Sequence, residues 1–289
     1  MKQEQPIAGL GEGAAEPPDG APPVPRELAT SRALQAFLAA TLSGSEQDRA
    51  LRARTLHMLE GHTPRAFERW KLSPVLEEAI RGLENFSTEF PLGLTPDHGL
   101  ARLDAAYIRH ERNLPYALPA HAAFTRYVEH LDLTGDGLYA WLMSELMKAC
   151  GLSVPIAFPE RPFKPLSRLL DLYWVTHLHL LDTRYLRGPL RSPEAPQWTK
   201  DLLAEAPWLL EEGPLGLAAE VAICLQLAGH AGSAAHQRIL DALAREQQPD
   251  GRVQDPTLDQ ASGSVDSHTT AAALLAFAGA EEHRPSGAR

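Results

Sequence analysis

From Glu27 to Gly279 the apolar residues of this chain recur at intervals of three and four, and Pro, Gly and Asp cut the pattern into short segments. Such spacing lays Leu and Ala along one face of an α-helix. A half-buried strand would instead show period-two alternation rich in β-branched residues, and no segment does. The chain is therefore expected to be all-α. Helices are predicted over Glu27–Thr41, Glu46–Glu60, Pro74–Phe86, Pro96–Arg109, Pro119–Leu131, Gly137–Cys150, Pro165–Tyr185, Ala195–Leu210, Pro214–Ala228, Ser233–Gln247 and Ser267–Gly279. Ser45, Ser73 and Thr95 stand directly before the first residues of three of these, which suits hydroxyl N-caps.

Residues 1–25 are rich in Pro, Gly, Ala and Glu and hold no aromatic residue. A segment of that composition buries too little apolar surface to offset its ordering entropy and is expected to be a disordered tail. Residues 284–289 read the same way, which leaves 26–283 as a single helical domain. About eleven helices of similar length with short connections suit an antiparallel helical-hairpin barrel, an α/α toroid. A solenoid would show a fixed repeat period, and none is found. An irregular helical bundle is the alternative.

The formal charge of −10, with Lys and Arg scattered among carboxylates, argues against a nucleic-acid partner. No run of about 18 apolar residues is present, so no membrane span is expected. Cys150 and Cys224 lie in apolar helical contexts without a C-x-x-C pair and read as reduced core thiols. The opening Met1-Lys-Gln-Glu-Gln-Pro shows no basic-then-apolar leader pattern. A soluble, cytoplasmic protein is the expectation, and nothing in the sequence sets an oligomeric state.

Two segments carry unusual polar residues. In Leu172-Tyr-Trp-Val-Thr-His-Leu-His-Leu-Leu-Asp-Thr-Arg-Tyr185, His177 falls in the stripe of Leu166, Leu169, Leu170, Tyr173, Leu180 and Leu181, while His179 points elsewhere. In Leu215-Gly-Leu-Ala-Ala-Glu-Val-Ala-Ile-Cys-Leu-Gln-Leu227, Glu220 is the one charge and shares a face with Leu217, Cys224 and Leu227. A buried carboxylate needs a partner. His268, at the start of the last helix, is the third candidate.

The stretch Gln247-Gln-Pro-Asp-Gly-Arg-Val253, followed after a gap by Asp266-Ser-His-Thr-Thr-Ala-Ala-Ala-Leu274, resembles the hairpin repeat of the terpenoid-cyclase and prenyltransferase toroids. The resemblance covers about thirty residues and implies shape alone. Val253 stands where those cyclases carry an aromatic residue, and neither a D-x-D-D nor a D-D-x-x-D motif occurs. The zinc pattern of the lanthipeptide-cyclase toroids is absent too.

In a toroid the inner helices would bring His177, Glu220 and His268 to one central cavity, with Asp182, Arg184 and Cys224 in support. Two imidazoles and a carboxylate are a catalytic metal set for zinc or non-haem iron. The same residues equally suit a metal-free pocket or an acid–base pair. The function expected is a tailoring-type enzyme acting on a small molecule or peptide, by analogy with accessory enzymes of bacterial natural-product pathways. A non-catalytic ligand-binding or scaffold protein is the alternative. A further polar run, Asp104, Tyr107, Arg109, His110, Glu111 and Arg112, reads as a helix terminus more than a site. Asp132-Leu-Thr-Gly-Asp-Gly137 opens like a calcium loop but has Met143 where the bidentate Glu belongs, so it reads as a turn.

Overall fold

The computed structural model describes residues 25–42, 44–152, 167–255 and 267–283. Among these it is all-helical, with 12 helices and no strand beyond one isolated bridge from Gln247 to Val253. The helices are α1 (Arg26–Ala40), α2 (Glu46–His62), α3 (Pro64–Arg69), α4 (Ser73–Arg81), α5 (Pro96–Glu111) and α6 (His121–Thr134). They continue with α7 (Gly137–Ala149), α8 (Arg168–Asp182), α9 (Ala195–Glu211), α10 (Leu215–Leu227), α11 (Ala234–Arg245) and α12 (Ser267–Glu282). No described helix is long and apolar enough to cross a membrane. The tails 1–25 and 284–289 lie outside the described residues, Pro25 excepted.

The predicted segments all reappear, and α3 is added because six residues carry too little periodicity to be read. Of the three expected caps, only Ser45 behaves as one, its hydroxyl accepting from the Asp48 amide at 3.0 Å. Thr95 turns instead to His98 Nδ1 at 2.7 Å, and Ser73 is already inside its helix. Helix α8 ends at Asp182, short of the predicted Tyr185, while Pro165 lies outside the described residues. The early stop has a backbone cause: Arg184, Tyr185 and Leu186 are left-handed, with φ of 50°, 56° and 65°. Each such residue costs on the order of 1–2 kcal/mol. The turn is held by the Leu186 amide on Thr183 Oγ1 at 3.2 Å and by Tyr185, which is fully buried against Tyr107.

Packing runs from α2 to α5, α7, α8, α10 and α12, and α12 returns to α2. The other helices cover this set from outside: α1 on α12, α4 on α2 and α5, α6 on α7, α9 on α8 and α10, and α11 on α9 and α10. Helices α10 and α12 are apolar nearly all round, as elements covered on every side must be. The run Ala271, Ala272, Ala273, Ala276, Ala278, Gly279 and Ala280 keeps α12 slim enough for α1, α2 and α10 to close on it. A Cβ at Gly279 would strike the Gln226 carboxamide and the His62 ring.

The turn from Gln247 to Val253 has a structural task. Gly251, at φ 91°, lies so close to the backbone of Arg32 that no side chain fits. Gln247 donates to the carbonyls of Ala29 at 2.9 Å and Gly251 at 3.1 Å, tying the turn to α1. The Val253 amide donates to Thr270 Oγ1, and the Gly216 amide to Asp255. One turn thus links α1, α10 and α12.

Away from that turn, Gln226 joins α2, α10, α11 and α12. It pairs with His62 Nε2 at 2.9 Å and His236 Nε2 at 2.9 Å, and donates to the Ala276 carbonyl at 2.7 Å. Burial lowers both imidazoles to about 4. An unfolded histidine titrates near 6.5, so the unfolded chain binds protons that the folded chain refuses between those values. Stability is full above pH 6.5 and falls as the pH drops toward 4. A loss on the order of 2 kcal/mol per histidine is expected at pH 5 relative to pH 8. Urea titration at the two pH values checks it, and equal midpoints would show that the network does not exclude protons.

Candidate functional site

Residues of α2, α5, α7 and α8 surround a cavity of about 930 Å³, to which α10 adds Glu220 and α12 adds Ser267 and His268. A smaller apolar chamber of about 80 Å³ adjoins it, lined by Leu51, Met58, Leu180, Leu186, Ile223 and Leu275 among others. Leu51, Arg54, His177, Glu220 and His268 line both spaces and form a collar between them. The three residues that the sequence singles out, on three separate helices, therefore meet in one place.

Their geometry defines what each can do. Glu220, 16% exposed, accepts from Thr176 Oγ1 at 2.8 Å through Oε2, and its Oε1 lies 3.7 Å from His268 Nε2. The His268 ring is 51% exposed, so a proton can reach it from solvent. His177 Nδ1 lies 2.6 Å from the Tyr173 carbonyl, which accepts only from a protonated nitrogen. In the neutral ring the Nε2 lone pair is then available as a base. Cys224 lines the chamber, its thiol 3.9 Å from the Thr176 carbonyl, and burial pushes that thiol well above its ordinary range. It is therefore no thiolate nucleophile.

Beneath the collar lies a triad that sequence reasoning missed. Arg54 Nη1 donates to Asp104 Oδ2 at 2.8 Å, and Tyr185 donates to Asp104 Oδ1 at 2.9 Å. Burial pushes the Asp104 carboxyl up, and Arg54, the Tyr185 hydrogen bond and the field of His177 oppose it. Burial also works against the Arg54 charge, but Asp104, Tyr185 and Glu220 outweigh it and raise the guanidinium. Burial and the Asp104 charge raise the Tyr185 phenol well above its usual value, which keeps it a donor. The available signal was the spacing Leu51, Arg54, Thr55, Met58, a cation set into an apolar stripe of α2.

Other expectations need correction. Asp182 accepts from the amides of Arg191 at 2.6 Å and Ser192 at 3.0 Å, so it braces a loop, and Arg184 is an exposed residue of the left-handed turn. Neither lines the cavity or the chamber. On α8 the fully buried histidine is His179, not His177; its Nδ1 donates to the Val175 carbonyl at 2.9 Å. Among the described residues no group of three or more His, Cys, Asp or Glu is disposed to hold a metal ion. His177, Glu220 and His268 thus share a cavity without forming the expected zinc or iron ligand set.

The Asp104–Arg112 run divides. Asp104 enters the triad, whereas Arg109 donates to the Pro115 carbonyl at 2.7 Å, His110 meets the Tyr116 hydroxyl at 2.9 Å, and Arg112 pairs with Glu60. Gly135, left-handed at φ 96°, ends α6 and makes the calcium-like motif a turn into α7.

A family model described as a domain of unknown function (DUF6895) matches residues 158–277. The match spans less than half of the chain. It takes in His177, Glu220, Cys224 and His268 but not Arg54 or Asp104. No curated protein and no solved structure matches the chain.

Removing Arg54 alone strands a buried carboxylate. Arg54→Met is expected to cost about 3–5 kcal/mol, and Arg54→Met with Asp104→Leu to recover most of that loss. Denaturant titration of both variants decides. A double variant as unstable as the single one would mean that the pair does more than neutralise itself.

Proposed function

We propose that the chain is an acid–base enzyme acting on a small molecule or peptide held at the collar, inside a helical body of the α/α-toroid type. The observation that carries this reading is the convergence of His177, Glu220 and His268 on one space that runs from an open vestibule to an apolar chamber. Largely apolar pockets with a few convergent polar groups are the usual form of small-molecule sites.

The roles follow from the hydrogen bonds. His177 offers Nε2 as a general base, oriented by the Tyr173 carbonyl. Glu220, fixed by Thr176, faces His268 at 3.7 Å, and the half-exposed His268 ring serves as the group that exchanges protons with solvent. Arg54, fixed by Asp104 and Tyr185, stands ready to stabilise negative charge that develops beside it. A binding protein without chemistry is the second reading, favoured by the apolar lining of the chamber.

Thermal-shift screening of the full chain beside Glu220→Gln and His268→Ala tests the site. Ligands that raise the parent melting temperature by several degrees should lose most of that effect in both variants. A ligand that stabilises all three proteins equally binds elsewhere and ends this reading. Ligands that the parent converts, by mass spectrometry, and His177→Gln does not, separate the enzyme from the binder.

A further inference from the structure

The collar sets two opposite charges beside an apolar chamber of limited size. Arg54 uses Nη1 on Asp104 and makes no other hydrogen bond among the described residues, so most of its five N–H donors remain for a ligand. Glu220 uses Oε2 on Thr176, and its Oε1 has capacity beyond the His268 contact. Both residues line the cavity and the chamber where the two spaces join. A ligand with a carboxylate and an ammonium meets an opposite charge at each end, whereas a ligand of one charge leaves one of the two groups without a partner of its own in a half-buried place. The chamber is about 80 Å³, about half of the ~150 Å³ cavity that admits benzene. It therefore takes an aliphatic group of about three or four carbons and excludes a phenyl ring.

We propose that the collar binds a free aliphatic α-amino acid of valine or leucine size, carboxylate on Arg54, ammonium on Glu220 and side chain in the chamber. This deepens the proposed function and rests on it. A guanidinium fork matches a carboxylate with two parallel bonds, and an ammonium needs only one or two acceptors, so both heads are served by groups already in place. The vestibule carboxylates do not compete for the ammonium on equal terms. Asp97 and Asp48 line the large cavity but not the chamber, and Asp104 is filled on both oxygens.

Calorimetric titration of the full chain with L-leucine and L-valine tests the assignment, with 4-methylpentanoate, isopentylamine, glycine and L-phenylalanine as controls. Leucine or valine should bind, and each analogue lacking one head or the side chain should bind about tenfold more weakly or worse. Phenylalanine should not bind. Ala271→Leu, which fills the chamber and removes no charged group, should stay folded by circular dichroism and lose leucine binding. If the acid or the amine binds as well as leucine, the zwitterion assignment is overturned while the collar reading stands. Leucine binding unchanged in Ala271→Leu overturns the placement of the side chain. If no probe binds but the thermal-shift screen yields other ligands that depend on Glu220, only this assignment fails; an empty screen removes both readings.

Discussion

Asp104 is 1% exposed, and a carboxylate so placed has to be neutralised where it stands. Its two partners come from distant parts of the chain: Arg54 on α2, and Tyr185 in the left-handed turn after α8. That requirement draws α2, α5 and the end of α8 to one point. It gives the unfavourable backbone of residues 184–186 a compensating bond, and it aims the Arg54 guanidinium at the collar. The same turn sets Leu186 into the wall of the chamber and Arg187 on Glu60. Fold and candidate site therefore share one electrostatic constraint.

The helices were legible because Leu and Ala spacing states their period directly, and Pro and Gly mark most of their ends. The stop of α8 was not legible, since Thr183-Arg-Tyr-Leu186 holds no glycine to announce a left-handed turn. Site residues were partly legible. Glu220 stood out as the one charge in an otherwise apolar helix, and the structure places it on the cavity wall. The face of α8 was misjudged for a physical reason. A helix packed on both sides shows apolar residues toward core and cavity alike, so periodicity does not tell the His177 face from the His179 face. Asp182 and Arg184 follow His177 in sequence, but Asp182 is the last residue of the helix and Arg184 lies past its end, away from the cavity.

The expected metal set and the observed collar differ in what holds the residues. Two of the three polar groups are fixed by a protein hydrogen bond, His177 by Tyr173 and Glu220 by Thr176, and the half-exposed His268 lies 3.7 Å from Glu220. Groups held by such hydrogen bonds keep their positions without an ion. The DUF6895 match supplies these three, while the paired cation comes from the N-terminal helices, so the site needs both parts of the chain.

The claim that His177, Glu220 and His268 form one electrostatic unit is tested most directly by nitrogen-15 NMR of the imidazole rings, comparing the parent with Glu220→Gln. The account predicts that the His268 resonances move most and those of His177 also move, while those of His62 and His236, bonded to Gln226 away from the cavity, stay in place. Unmoved His268 and His177 resonances in a folded variant would contradict it.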